Sequence, residues 1–235
     1  MSLLLLLPTL NEEESLRALA DETPAEFDVL IVDGRSTDGT KDVALTHNWS
    51  FITQRYGKGK GYAIRTGMEE FLKANYDHLG MIDADYSNDP REIKRMLHVL
   101  KENDFDVVLG SRDVKRQREL LGWFSVFINR FTSTVASWLY GCRLTDIQTG
   151  CWVFTRNATE TILPHLIANG FEIEYDLLYN AWRHGLRIGE APVTFRERIG
   201  ESKFSTRQRF KQIIHGLRYV YWSLKHLYEK RYFSI

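Results

Sequence analysis

Two cysteines in 235 residues, Cys142 and Cys151, with no paired Cys or His spacing around them, exclude a disulfide scaffold and a zinc site. They read as reduced, buried thiols of a cytosolic protein. No stretch reaches the ~18 uncharged apolar residues that a membrane-spanning helix needs. The apolar start, Ser2 to Leu7, is too short for a membrane span or a signal peptide and lacks a basic lead. Charge of one sign is also missing: Lys+Arg and Asp+Glu both number 31, which argues against nucleic acid as a partner. No repeat, low-complexity tract or Pro/Gly/Ser linker divides the chain, so one large α/β domain is the natural expectation. Among nucleotide and metal signatures, His-Glu-x-x-His and Gly-Lys-Ser/Thr are absent. Gly-x-Gly-x-x-Gly after Gly59 fails at Ile64.

What is there is a series of short apolar runs that end on polar residues. Leu3–Leu7 runs into Pro8-Thr9, and Asn11-Glu12-Glu13-Glu14 then opens a helix with acids in its first turn. Val29–Val32 stops at Asp33-Gly34-Arg35-Ser36-Thr37-Asp38-Gly39-Thr40, where bland capping accounts for Ser36, Thr37 and Asp38, and Asp33 is the better ligand candidate. Phe51–Thr53, Leu79–Ile82 and Val107–Leu109 follow, the last ending in Gly110-Ser111-Arg112. Helical spacing between these runs gives the βαβ alternation of a mostly parallel sheet flanked by helices.

The fourth run leads into Asp83-Ala84-Asp85. If the strand continues, its period of two turns both carboxylates to one side, toward the ligand crevice of an α/β sheet. Two adjacent hard oxygen donors suit Mg²⁺ or Mn²⁺ shared with a diphosphate. The bare motif is weak, since chance gives roughly one Asp-x-Asp in a chain this rich in Asp. The other copy, Asp104-Phe105-Asp106, opens a strand and reads as a solvated turn.

Arg55 to Ala63 forms a Gly-rich, basic loop feeding a helix, which is either an anion site or a surface loop. Aromatic residues recur at helical spacing over about 119–140. Asp146-Ile147-Gln148-Thr149-Gly150 leads a strand-like Cys151–Phe154, and a helix from about Glu174 to His184 precedes Ile188–Phe195. The end, 204–235, reads as an amphipathic helix with an apolar stripe at Phe210, Ile214, Leu217, Tyr221, Leu224 and Tyr228. Residues 203–231 are basic: Lys203, Arg207, Arg209, Lys211, Arg218, Lys225, Lys230 and Arg231 stand against Glu229 alone. Both stripes either pack on the domain's core or meet a lipid surface.

Taken together and in order, Pro8-Thr9-Leu10-Asn11-Glu12-Glu13, Asp33-Gly34-x-Ser36-Thr37-Asp38-Gly39-Thr40, Gly59-Lys60-Gly61-x-Ala63, Asp83-Ala84-Asp85, Gly110-Ser111-Arg112, Asp146-x-Gln148-x-Gly150 and Arg198-x-Gly200-Glu201-Ser202-Lys203 resemble the GT-A-fold glycosyltransferases of family 2. The closer resemblance is to the polyprenyl (dolichyl) phosphate mannose or glucose synthases. It implies a GT-A domain over 1–203, in which Pro8, Glu12, Asp33, Gly61 and Ala84 contact the nucleotide of GDP-mannose or UDP-glucose. Asp83 and Asp85 would share Mg²⁺ or Mn²⁺ with its diphosphate. Arg112 would face the reacting phosphates, Asp146 and Gln148 the acceptor, and Arg198, Ser202 and Lys203 would close over the donor.

Some relatives carry Gln where this chain has Ser87, and many continue into transmembrane helices after the Ser-Lys motif, whereas one more helix follows here, so autonomous membrane insertion is not expected. A small membrane-anchoring subunit could substitute, with the protein held peripherally at the cytoplasmic face. The Gln-x-x-Arg-Trp motif of processive synthases is absent, so a single transfer is expected. A lipid monophosphate is already anionic at neutral pH, its second pKa being about 6, so direct displacement with inversion needs no obligatory protein base. The rival reading, a soluble GT-A transferase with a small-molecule or polysaccharide acceptor, predicts a buried aromatic helix. A non-catalytic nucleotide-sugar or lipid-binding module would need no aspartate pair with basic residues around a leaving group.

Overall fold

A computed structural model describes residues 2–200 and 206–233, and within the last helix the side chains of Ile214 and 216–228. β1 (Leu3–Thr9), β2 (Asp28–Asp33), β3 (Ser50–Thr53), β4 (His78–Met81), β5 (Val107–Arg112), β6 (Trp152–Thr155) and β7 (Ile188–Val193) form one sheet in the order β3-β2-β1-β4-β6-β5-β7. All neighbours run parallel except β6, which is antiparallel to both β4 and β5. The expected mostly parallel sheet is therefore present, with one reversed strand that hydropathy could not reveal.

The apolar runs of β1 and β2 become strands because they are buried on both faces, whereas β3, at the sheet's edge, is only partly covered. In β1, Leu4 and Leu6 enter one core while Leu3, Leu5 and Leu7 enter the other. β2 divides likewise, with Leu30 and Val32 on one side and Val29 and Ile31 on the other. One core lies beneath α1 (Glu13–Glu22), α2 (Thr40–Thr46) and α4 (Glu92–Glu102). The other lies beneath α3 (Lys60–Lys73), α7 (Arg156–Ile162) and α8 (Ile173–Arg183). Truncating a fully buried residue such as Leu5 or Leu6 to Ala should cost about 2–5 kcal/mol.

The single aromatic helix expected over about 119–140 is two: α5 (Val114–Leu121) and α6 (Trp123–Tyr140). The break is Gly122, whose φ of 80° continues neither helix. α9 (Thr206–Phe233) packs on α8 and α6. Its packing face is Gly216, Tyr219 and Ser223, all buried. Of the stripe picked out by periodicity, Ile214, Leu217, Tyr221, Leu224 and Tyr228 face outward, Ile214 and Tyr221 each being 62% exposed, and the Phe210 side chain lies outside those described. Cys151 is buried as expected, but Cys142 is only half-buried. Asp104 and Asp106 form a turn that holds Arg187. Among the described residues no helix is long and apolar enough to cross a membrane.

Candidate functional site

Strand order reverses around β1, with β2 and β3 to one side and β4 to the other, which places a crevice at the carboxyl ends of β1 and β4. A cavity of about 440 Å³ opens beside it, lined by Lys60, Asp83, Asp85, Ser87, Arg112 and Gln148 at its polar end. Leu120, Leu121, Phe124, Ile128, Phe171 and Phe195 form its apolar wall.

Asp83 and Asp85 share this cavity, but not by strand alternation. β4 ends at Met81, and Ile82 is held by a backbone bond to the Leu6 carbonyl. The carboxylates project from the loop beyond, on either side of the buried Ala84. Tyr86 closes that loop in the left-handed region, φ 70°, a conformation costing a bulky residue about 1–3 kcal/mol. A hydroxyl bond to Glu22 and the Arg196 guanidinium, 4.5 Å above its ring, hold it there.

Each aspartate already has a cation. The Lys60 ammonium lies 2.6 Å from Asp83 Oδ1 and 2.6 Å from Glu174 Oε1. Burial alone would lower the Lys60 pKa, but the Asp83 and Glu174 carboxylates outweigh it and raise it. Burial raises the Glu174 pKa, and the Asp83 charge adds to that against the opposing pull of Lys60. Arg198 Nη1 stands 3.4 Å from Asp85 Oδ2, and Arg198 Nε is buried with no hydrogen-bond partner among the described residues. Ser87 donates its hydroxyl to Asp85 Oδ1 at 2.5 Å. The segment bearing Arg198 is tied to this loop by Arg196 N to the Ser87 carbonyl and Ile199 N to the Asp85 carbonyl.

Arg112 and Asp146 meet, but not across an acceptor surface. Asp146 is fully buried and absent from the cavity wall, contrary to its expected place beside the acceptor. It stands behind Arg112, taking Nε at 2.6 Å and Nη2 at 2.8 Å, while Nη2 also reaches the Gln148 carbonyl. The Arg112 guanidinium lies 4.8 Å over the Phe195 ring and lines the cavity.

The expected nucleotide contacts are distributed unevenly. Asp33 is buried, and its carboxylate accepts the Arg35 and Ser36 amides and the Ser36 hydroxyl, so it shapes the turn after β2. Pro8 is half-buried beside Val32 in the sheet, and Glu12 accepts the Ser15 hydroxyl. Gly61 does not face the cavity. It packs on the 168–169 backbone, its amide donating to the Asn169 carbonyl at 3.1 Å, and a Cβ there would overlap the Ala168 carbonyl. Ser202 and Lys203 lie outside the described residues. Sequence reasoning missed Lys60 and Glu174 as site residues. Lys60 sits in the motif Gly59-Lys60-Gly61, a usable signal, but nothing in the sequence joins it to an acid 114 residues away.

A doubly wound sheet with an acid pair and buried basic residues at one crevice is the architecture of GT-A glycosyltransferases. The fold matches glucosyl-3-phosphoglycerate synthase of Mycobacterium tuberculosis, solved with Mn²⁺, UDP and glucosyl-3-phosphoglycerate, at a TM-score of 0.73 and 19% identity, covering 93% of this chain and 79% of that one. The description "Glycosyl transferase family 2" matches residues 5–163, and the chain belongs to that family. It is 34% identical to an undecaprenyl-phosphate mannosyltransferase of Micrococcus luteus, over 87% of this chain and 88% of that protein. It is 30% identical to a polyprenol monophosphomannose synthase of Mycolicibacterium smegmatis, over 86% of this chain and 80% of that protein. A hexosyltransferase of low-salt glycan biosynthesis in Haloferax volcanii is 28% identical, and the alignment covers only 50% of its length. The protein is a glycosyltransferase.

Proposed function

We propose that this glycosyltransferase moves one hexose, mannose or glucose, from GDP-mannose or UDP-glucose to a polyprenyl or dolichyl phosphate, with inversion, at the cytoplasmic face of a membrane. The observation that carries the reading is the apolar face of α5 and α6. Trp138 is 77% exposed and Trp123 67%, with Phe124, Phe127 and Phe131 also exposed, while Phe124 and Ile128 continue into the cavity wall. A soluble acceptor would need no such path, and its reading called for a buried aromatic helix. The relatives from Micrococcus luteus and Mycolicibacterium smegmatis, named for undecaprenyl-phosphate and polyprenol products, support the same acceptor class.

Asp83 and Asp85 would hold Mg²⁺ or Mn²⁺. The fit is that of a shared ion: two hard oxygen donors open into one cavity, and among the described residues no group of three His, Cys, Asp or Glu could cage a metal unaided. Held there by Asp83 and Asp85, such an ion would neutralise charge on the departing nucleoside diphosphate. Arg198, which lines the cavity beside Asp85, adds a cation to the same leaving group. Arg112 orients the lipid phosphate, which is already an anion and needs guidance rather than deprotonation. The exposed faces of α6 and α9 seat the protein on anionic lipid, with Arg218 and Lys225 on the outer side of α9. A small anchoring subunit would reinforce this.

The test offers GDP-mannose and UDP-glucose with polyprenyl phosphate in vesicles, with and without Mn²⁺. Transfer to the lipid that stops on chelation is expected. Equal transfer to water-soluble acceptors, or none to the lipid, overturns the reading.

A further inference from the structure

We propose that Asn129 of α6 is a positioning residue for transfer: it holds the Asp146 carboxylate that aims Arg112 into the cavity. This rests on the reading that Arg112 meets the acceptor phosphate. α6 has two faces with different tasks. Its outward row carries the exposed aromatics, and its inward row is Val126, Asn129, Ser133, Ala136 and Leu139, all buried.

Two residues in that inward row are polar, and both reach the Asp146 segment. Asn129 Nδ2 donates to Asp146 Oδ1 at 2.8 Å and to Gln117 Oε1 at 3.1 Å. Ser133 Oγ accepts the Ile147 amide at 3.1 Å. Gln117, buried on α5, completes the hold by donating to the Arg112 carbonyl at 2.9 Å and to Asp146 Oδ2 at 3.3 Å.

A buried carboxylate with two acceptor oxygens can keep a guanidinium in one bidentate pose only if its own rotation is blocked. Arg112 blocks one edge, and Asn129 with Gln117 blocks the other. Water cannot replace the Asn129 amide, because Asn129, Gln117 and Asp146 are all at most 3% exposed. The helix that carries the aromatic row therefore also sets the cation at the reaction centre.

The experiment compares wild type with N129A and N129D under steady-state transfer to polyprenyl phosphate, with thermal melts to normalise for folded protein. N129A is expected to lower kcat at least 10-fold per folded molecule, with the KM for the nucleotide-sugar unchanged. In N129D the new carboxyl faces Asp146, Gln117 and Ser133, with Arg112 behind Asp146. Only its protonated form can donate to Asp146, so kcat is expected to recover toward wild type as pH falls and to drop as pH rises.

A melt shift with kcat and both KM values unchanged overturns the proposal and leaves Asn129 a packing residue. So does an N129D profile parallel to wild type. Failure of wild type itself to use polyprenyl phosphate would instead overturn the function.

Discussion

Gly150 lies against the Asp83 carboxylate so closely that a methyl group at 150 would overlap it. The glycine of Asp146-x-Gln148-x-Gly150 thus leaves room for a residue 67 positions earlier in the sequence. G150A is expected to push the Asp83 side chain aside. Turnover should fall on the order of 10–100-fold, and the Mn²⁺ concentration for half-activation should rise, with about 1–2 kcal/mol lost in urea denaturation. A variant with unchanged metal activation would separate the two residues.

Lys60 is the shared cation of two carboxylates, Glu174 almost fully buried and Asp83 open to the cavity. K60M leaves Asp83 and Glu174 facing one another without compensation. Removing one partner of a buried ion pair costs about 3–5 kcal/mol, a loss that chemical denaturation would read directly.

Glu174 carries a pH dependence whose sign follows from its raised pKa. A carboxyl whose folded pKa exceeds its unfolded value binds more protons in the native state between the two. Its contribution to stability is therefore greatest at acid pH, is lost as pH climbs from the ordinary glutamate value through the raised one, and is level above that. Melting temperatures of wild type and E174Q across pH 4 to 8 should show this downward component in the wild type only.

The paired geometry of Arg112 and Asp146 makes a base role for Asp146 testable. D146N weakens the bidentate hold on a buried guanidinium, so a loss of about 2–4 kcal/mol and a 10–100-fold fall in kcat are expected together. A loss beyond a thousandfold with stability and both bindings intact would mean that Asp146 takes a proton.

Phe127 and Phe131 are exposed and stacked on each other at 6.5 Å between ring centroids. Replacing both with Ser should change stability by less than ~0.5 kcal/mol each, since neither is in the core. Partitioning onto vesicles should drop at least 10-fold, given about 1.5–3 kcal/mol for burying such a side chain. Flotation of the double variant equal to wild type would remove α6 from the lipid contact.

Much of the sheet was legible because continuous apolar runs such as Leu3 to Leu7 have few alternatives to a strand covered on both faces. The break at Gly122 was harder, since helical spacing persists on both sides and only the backbone angle there divides α5 from α6. The reversal of β6 was not legible, because Trp152 to Phe154 would be equally apolar in either direction. On α9, periodicity located a stripe at Ile214, Leu217 and Tyr221 but could not say which way it pointed.

By itself the sequence determined most of the strands and helices in their order, the Asp83, Asp85 and Arg112 positions that line the crevice, and the family to which the chain belongs. Those depend on local hydropathy and on short motifs, which are properties of neighbours in the chain. Only the tertiary structure decided that Lys60 lies between Asp83 and Glu174, that Asp146 stands behind Arg112, and that Asn129 secures it. These pairings join segments 17 to 114 residues apart and exist because packing removes water from them. No local pattern encodes which buried charges will meet.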